Sequence, residues 1–231
     1  METIVGVDQQ LLLLLNGSDS LFLDGLMVTL TSGFTWIPLY IAVIWLIIKN
    51  NETMPLVMLA IGAGLCCVAV TAGVTNLIVK PIIARPRPCN DMEIKYLVDV
   101  VYRLSQKDFS FFSAHAANTS GLTVFLVLLI RNKIMSVFLV VWSLLNCYTR
   151  LYLGLHYPAD IFCGMLFGCL VGFGVYCIYL KLFQKYSANA NFVSTQYTST
   201  GYSISDIDVV VGVMVLTFLY ALARASIICL N

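Results

Sequence analysis

The sequence predicts an all-α, polytopic membrane bundle of about six transmembrane helices with an N-terminal interfacial segment, on three observations. Hydrophobic residues make up 60% of the 231 residues and charged ones 11%, less than half the roughly 25% of a soluble domain, and the mean hydropathy is +0.90. The apolar residues gather into six runs, at 26–48, 55–79, 115–130, 134–150, 157–182 and 207–230, most of them near the ~20 residues that cross hydrocarbon. The interiors of these runs are almost free of ionisable groups. A net charge of +1 gives no global field to attract nucleic acid, so any electrostatics that matter are local.

The opening METIVGVDQQLLLLLNGSDS lacks the basic n-region and small-residue cleavage site of a secretory signal. Its apolar stretch is too short to cross, so residues 1–25 are expected to lie along the interface as a helix. Residues 26–54 then form a first span and a cytoplasmic turn, 55–182 the central unit, 183–206 a polar loop and 207–231 a last span. The third and fourth runs reach membrane length only with His115 and Arg150 at the boundary, where polar side chains can reach water. In the fifth, Gly164, Gly168 and Gly172 recur at the spacing of helices that pack closely in lipid. From Ser187 to Ser205 the chain is polar without Lys or Arg, which reads as a loop. Of the eight cysteines, Cys66, Cys67, Cys163, Cys169 and Cys177 sit inside apolar runs, Cys147 and Cys229 near run ends, and Cys89 in a polar segment. They read as small core hydrophobes rather than a disulfide framework.

Counting crossings brings the polar oddities together. If 115–130 crosses and 134–150 returns, Lys80, segment 81–114, His115, Arg150, His156 and Asp160 share one face. That face also receives Arg85, Arg87, Lys95, Arg103 and Lys107, while Lys49, Arg131, Lys133, Lys181 and Lys185 fall opposite. Lys49, Arg131 and Lys133 occupy the short loops that set topology, so the convergent face is expected to point outward.

Three clusters meet there. In KPIIARPRP, residues 80–88, Lys80, Arg85 and Arg87 stand on a backbone stiffened by three prolines; anchoring to anionic head groups would explain such cations equally well. In SFFSAHAANTSG, residues 110–121, a helix start offers unpaired N–H groups to an anion. Ser113 would serve there as N-cap, and His115 is one of only two histidines, placed for acid/base work. In RLYLGLHYPAD, residues 150–160, Asp160 follows His156 by four residues. A helix opened by Pro158 would let the carboxylate fix the imidazole's tautomer and leave its other nitrogen free to attack. Arg150 adds a fork suited to phosphate oxygens, although an interfacial Arg150–Asp160 salt bridge would also account for that pair. A two-histidine, one-carboxylate metal site is disfavoured by the surrounding cations, which repel a divalent ion.

Lys80 to Pro88, Ser113 to His115 and Arg150 to Asp160, in this order and flanked by spans, resemble the tripartite signature of the type 2 phosphatidic acid phosphatase superfamily, which includes the vanadium haloperoxidases. The resemblance covers about residues 55–182. Two departures are visible: Phe112-Ser113-Ala114-His115 stands where Pro-Ser-Gly-His is usual, and Thr149 stands where Ser usually precedes the Arg. The resemblance implies that His156 attacks phosphorus, Asp160 orients it and His115 protonates the departing oxygen. Lys80, Arg87, Arg150, Ser113 and the backbone near Ala114 would hold the phosphate, with no cofactor and no metal. Arg85 lies outside the motif and is kept as a head-group contact. The resemblance further implies a phosphate-bearing amphiphile and the bilayer as partners, and suggests undecaprenyl diphosphate, lipid A, phosphatidylglycerophosphate or phosphatidic acid. The expected place is a bacterial inner membrane with the site on the periplasmic face. A lipid phosphotransferase using the same intermediate, and a non-catalytic lipid-binding or transport protein, are the alternatives; transport would more naturally place ionisable groups near the bilayer midplane. The oligomeric state stays open.

Overall fold

The computed structural model describes residues 2–101, 108–186 and 195–230. Arg103, Lys107 and residues 187–194 of the polar loop lie outside the described residues. Among the described residues every regular element is helical, apart from one isolated bridge between Tyr197 and Ser203. The elements are α1 (Glu2–Leu15), α2 (Leu21–Thr31), α3 (Ile37–Asn50), α4 (Met54–Gly73), α5 (Lys80–Ile83), α6 (Ala114–Ile130), α7 (Lys133–Tyr152), α8 (Pro158–Tyr186) and α9 (Ile204–Leu230). Five helical stretches are long and apolar enough to cross a membrane, and α6, at 17 residues, is a shorter apolar helix beside them.

The run expected at 26–48 is not one helix. α2 stops at Thr31, Ser32 is extended, a 3₁₀ turn covers Gly33–Trp36, and α3 starts with Pro38 in its first turn. Proline suits a helix's first turn and not its interior, because it lacks an N–H and crowds the preceding turn. The carbonyls stranded by the break are satisfied by side chains: Thr35 Oγ1 donates to Thr29 O at 2.6 Å and Trp36 Nε1 to Leu30 O at 2.8 Å. The two pieces still make one crossing antiparallel to α9, with Gly25 against Ala225 and Ile228 at one end and Lys49 paired with Asp206 at the other.

The second crossing is interrupted differently. α4 runs through a π-helical stretch, Val74–Val79, directly into α5. Wider π turns change the direction in which later side chains leave the axis and often occur at functional sites. Lys80, the first residue beyond this stretch, is buried.

α8 lies against α6 backbone to backbone, and the glycine stripe permits it. A Cβ at Gly164 would come 2.6 Å from the Ser113 carbonyl, and one at Gly168 or Gly172 would collide with the carbonyl of Ala117 or Gly121. The close approach fixes the start of α6 relative to the start of α8. Inside, Leu30, Leu46, Phe125, Leu126, Leu139 and Trp142 form the core, with Trp36 edge-on to Trp142 at 5.9 Å. Ile41, Met58, Leu65, Leu166, Leu170 and Leu216 point outward and are exposed, as side chains facing hydrocarbon should be. All eight cysteines are free.

Segment 1–25 contributes more than a surface helix. Leu12 of α1 is fully buried with Ile94, Val98 and Tyr157, and Asp8 is buried as well. This helix therefore docks on the end of the bundle where α5, the start of α6, the end of α7 and the start of α8 converge.

Candidate active site

His156 lies in the short connection between α7 and α8 and is buried. Pro158 opens α8 and Asp160 falls in its first turn, so the carboxylate reaches back to the ring: Asp160 Oδ2 is 3.6 Å from His156 Nδ1. The opposite nitrogen, Nε2, is 3.2 Å from Arg87 Nη1. A guanidinium only donates, so Nε2 is the acceptor and the ring proton sits on Nδ1, facing Asp160. Burial is the main force that pushes His156 down, to about 3; the positive charges of Arg87 and Arg150 act in the same direction and Asp160 offsets them only in part. The ring is neutral at neutral pH, with its lone pair on the nitrogen turned toward the cations.

Asp160 is held from three sides. Its Oδ2 accepts hydrogen bonds from the Ser110 hydroxyl and from the Tyr157 N–H, the latter at 3.0 Å, and its Oδ1 accepts from Arg85 Nη1 at 2.8 Å. Arg85 is clamped in turn by Asp8 at 2.7 Å and lies 3.7 Å over the Tyr157 ring. The Arg85 guanidinium therefore points inward, where it positions the carboxylate. Asp8 also accepts from the Ala159 N–H at 2.9 Å, which fastens α1 to the start of α8 and complements that helix's positive end.

Around His156 stand three cations of different status. Arg150 is buried, donates to Thr31 Oγ1 at 2.9 Å, and keeps a buried Nε with no hydrogen-bond partner; among the described residues no carboxylate pairs with it. Lys80 and Arg87, also buried, both contact Asp108. Lys80 Nζ lies 2.8 Å from its Oδ2, and Arg87 grips both carboxylate oxygens at 2.9 Å through Nη2. Partial burial would raise the Asp108 carboxyl, but the hydrogen bonds from Arg87 and Lys80 outweigh it and hold the group at about 2.

The α6 start carries the remaining expected residues. Ser113 is the N-cap, accepting from the Ala116 N–H at 3.3 Å, and its own N–H bonds the Asp160 carbonyl at 3.1 Å. Ala114 opens the helix at negative φ, so the turn does not require the glycine that usually stands there. Thr149 spends its hydroxyl on its own helix, donating to Asn146 O. His115 faces the α2–α3 break, against the backbone of Thr31. It also lines, with Trp36, Asn118 and Phe125, an otherwise mostly apolar cavity of about 400 Å³ whose walls include the exposed side chains Tyr40, Ile44 and Leu65.

Residues 56–184 match the PAP2 superfamily. The chain belongs to that superfamily. It is 36% identical over 183 residues to a lipid A 4′-phosphatase of Bacteroides thetaiotaomicron, covering 79% of this chain and 81% of the relative. A lipid A 4′-phosphatase of Porphyromonas gingivalis is 31% identical, with 78% and 76% covered, and an undecaprenyl-diphosphatase of Sulfolobus acidocaldarius is 31% identical, with 74% and 78% covered. No solved structure matches. The chain is thus a phosphatase of the PAP2 type, a phosphoric ester hydrolase carried by several membrane-spanning helices.

All of the expected residues of the PAP2 signature gather at this one end of the bundle. Sequence reading passed over Asp8, Thr31, Asp108 and Ser110. Ser110 stood within the motif SFFSAH and could have been noticed as a second hydroxyl; Asp8 and Asp108 had no signal of spacing. Among the described residues, no three His, Cys, Asp or Glu side chains are grouped to hold a metal ion.

Proposed function

We propose that this phosphatase removes the 4′-phosphate of lipid A at the periplasmic face of a bacterial inner membrane, through a phosphohistidine on His156. The observation that carries the mechanism is the His156 contact pattern. Nε2 is turned to Arg87 at 3.2 Å and Nδ1 to Asp160 at 3.6 Å, so the reactive lone pair sits among cations and the stabilising carboxylate sits behind. The substrate reading rests on the two lipid A 4′-phosphatases among the relatives, and on an apolar cavity beginning at His115 that suits a hydrocarbon chain.

Nε2 attacks phosphorus while the P–O bond to the sugar breaks, and His115, made an imidazolium once the phosphate dianion is bound beside it, gives its proton to the departing oxygen. Arg87, Lys80 and Arg150 neutralise the charge of the transferring group, joined by N–H groups at the α6 start. Asp160 stabilises the imidazolium that results. Water, deprotonated by the now neutral His115, then attacks phosphorus, releasing inorganic phosphate and restoring His156. Each protonic step is served by the protein's own groups, so turnover is expected to persist in EDTA and to be inhibited by vanadate.

The test is phosphate release by the purified protein from lipid A, undecaprenyl diphosphate, phosphatidic acid and phosphatidylglycerophosphate, with and without lipid acceptors. Release from lipid A by the wild type, and none above background by His156→Ala, is the expected outcome. Normal turnover by His156→Ala would overturn the mechanism. A preference for another lipid would overturn the substrate, and transfer to an acceptor would make the protein a transferase.

A further inference from the structure

Lys80 and Arg87 are buried, with side-chain exposures of 8% and 2%, yet the carboxylate they share is 53% exposed. Asp108 therefore lies on the outer side of the two cations, between them and the surface. Its geometry is that of a bound oxyanion: a bidentate grip from Arg87, reinforced by Nε at 3.1 Å, and an ammonium contact at 2.8 Å. The same guanidinium reaches the other way, donating through Nη1 to the Leu155 carbonyl at 2.8 Å and to His156 Nε2. While Arg87 is held like this, the nucleophile's lone pair is occupied and two of the three phosphate-binding cations are neutralised.

We propose that Asp108 is an intramolecular stand-in for the substrate's phosphate, a specificity-determining residue that must be displaced before His156 can attack. This rests on the phosphatase reading above and deepens it. A carboxylate on the same chain competes at an effective concentration in the millimolar range or higher. An incoming anion with a single negative charge, such as the phosphodiester of an ordinary bilayer lipid, gains little electrostatically over the group it displaces. A terminal phosphate carries about −1.5 to −2 at neutral pH and three acceptor oxygens, so it outbids the carboxylate for Arg87 and Lys80. As Arg87 turns to the phosphate it uncovers Nε2, and the unpaired Arg150 takes a further oxygen. Asp108 thereby keeps the site closed to the abundant diester head groups and open to terminal phosphates, at a cost in apparent affinity set by the fraction of molecules already open.

The experiment compares wild type with Asp108→Asn and Asp108→Ala in detergent micelles, with two probes: inorganic phosphate and phosphatidylglycerol. Inorganic phosphate is read by the rise it produces in melting temperature, which needs no turnover. Both variants should bind it about tenfold or more tightly, and phosphatidylglycerol, ineffective on wild type, should become a competitive inhibitor of lipid phosphate release. Asp108→Glu, which keeps the charge, should exclude phosphatidylglycerol as wild type does. Unchanged or weaker phosphate binding in both neutral variants would overturn the proposal and make Asp108 a scaffold for Arg87. If wild type releases phosphate from no lipid, the functional reading fails, while the melting-temperature comparison still decides whether Asp108 competes with an anion.

Discussion

The two ends of the bundle handle charge in opposite ways. At the end away from His156 the cations Lys49, Arg131, Lys133, Lys181 and Lys185 are all exposed, and the nearby groups are tied up: Lys49 meets Asp206 at 2.7 Å, Asn50 Nδ2 adds a bond to the same carboxylate, Arg131 donates to the Tyr176 hydroxyl, and Thr200 donates to the Ile130 carbonyl. At the His156 end, among the described residues, Arg150 is buried without a carboxylate, and Arg87 and Lys80 are balanced only by the half-exposed Asp108. An unpaired buried cation is costly, so its presence in one place and absence from the other separates a site made to receive an anion from loops that merely close the fold. Within the site the carboxylates divide similarly. Asp160 is fully buried and held from three sides as a fixture, whereas Asp108 faces outward on groups that a phosphate would claim.

Removing the unpaired charge of Arg150 is expected to have the largest effect. Arg150→Ala should lower kcat by about 10²–10³, the usual loss for one donor to a developing oxyanion. It should not lower the melting temperature, because deletion relieves a buried, partly unsatisfied guanidinium. A stable variant with near-normal kcat would mean that Arg150 serves packing. A second probe reads the electrostatics of the same pocket directly. In His115→Asn, His156 is the only histidine, and its ¹⁵N spectrum should show a neutral ring protonated on Nδ1 at pH 5, since burial holds its titration near 3. A midpoint near the ordinary 6.5 would show that the pocket is wet and the ring less confined than the structure has it.

A smaller effect is expected where support for Asp160 is redundant. Ser110→Ala deletes one of its hydrogen bonds and leaves those from Arg85 and the Tyr157 N–H. About a tenfold fall in kcat with KM unchanged is expected, at the low end for residues that orient a reacting group. A loss equal to that of His156→Ala would mean that Ser110 takes part in the chemistry.

Why some of this was legible in the sequence and some not follows from how far apart the interacting residues lie. Arg150, His156 and Asp160 are neighbours along the chain, and a helix starting at Pro158 converts their spacing into geometry almost unaided. The glycine stripe was equally local, and its period matched the α6 contact. The break between α2 and α3 did have signals, Ser32-Gly33 and Pro38, but continuous apolarity suggested a single span. The consequence, Thr31 at the helix end meeting Arg150, depends on the bundle. The π stretch before Lys80 has no compositional mark. Asp8 and Asp108 reach the site from 77 and 21 residues away from their arginines, and nothing in an unaligned sequence separates such carboxylates from solvated ones.

The smallest effect is expected at the far end. Lys49 is 53% exposed and also lies 4.9 Å from the Trp45 ring centroid, so Lys49→Ala removes a surface ion pair and a weak cation–π contact. Exposed pairs of this kind contribute about 0.2–1 kcal/mol. Asp206 is not stranded by the change, because Asn50 still donates to it at 3.2 Å and it sits in the first turn of α9, where the helix dipole favours a carboxylate. The melting temperature should therefore fall by no more than a few degrees, and phosphate release should be unaltered in both kcat and KM. A tenfold loss of activity would carry a different meaning. Lys49 closes the crossing whose mid-point break presents Thr31 to Arg150, so such a loss would make α3 a lever between the far end and that break, and charge at the far end would no longer be mere closure of the fold.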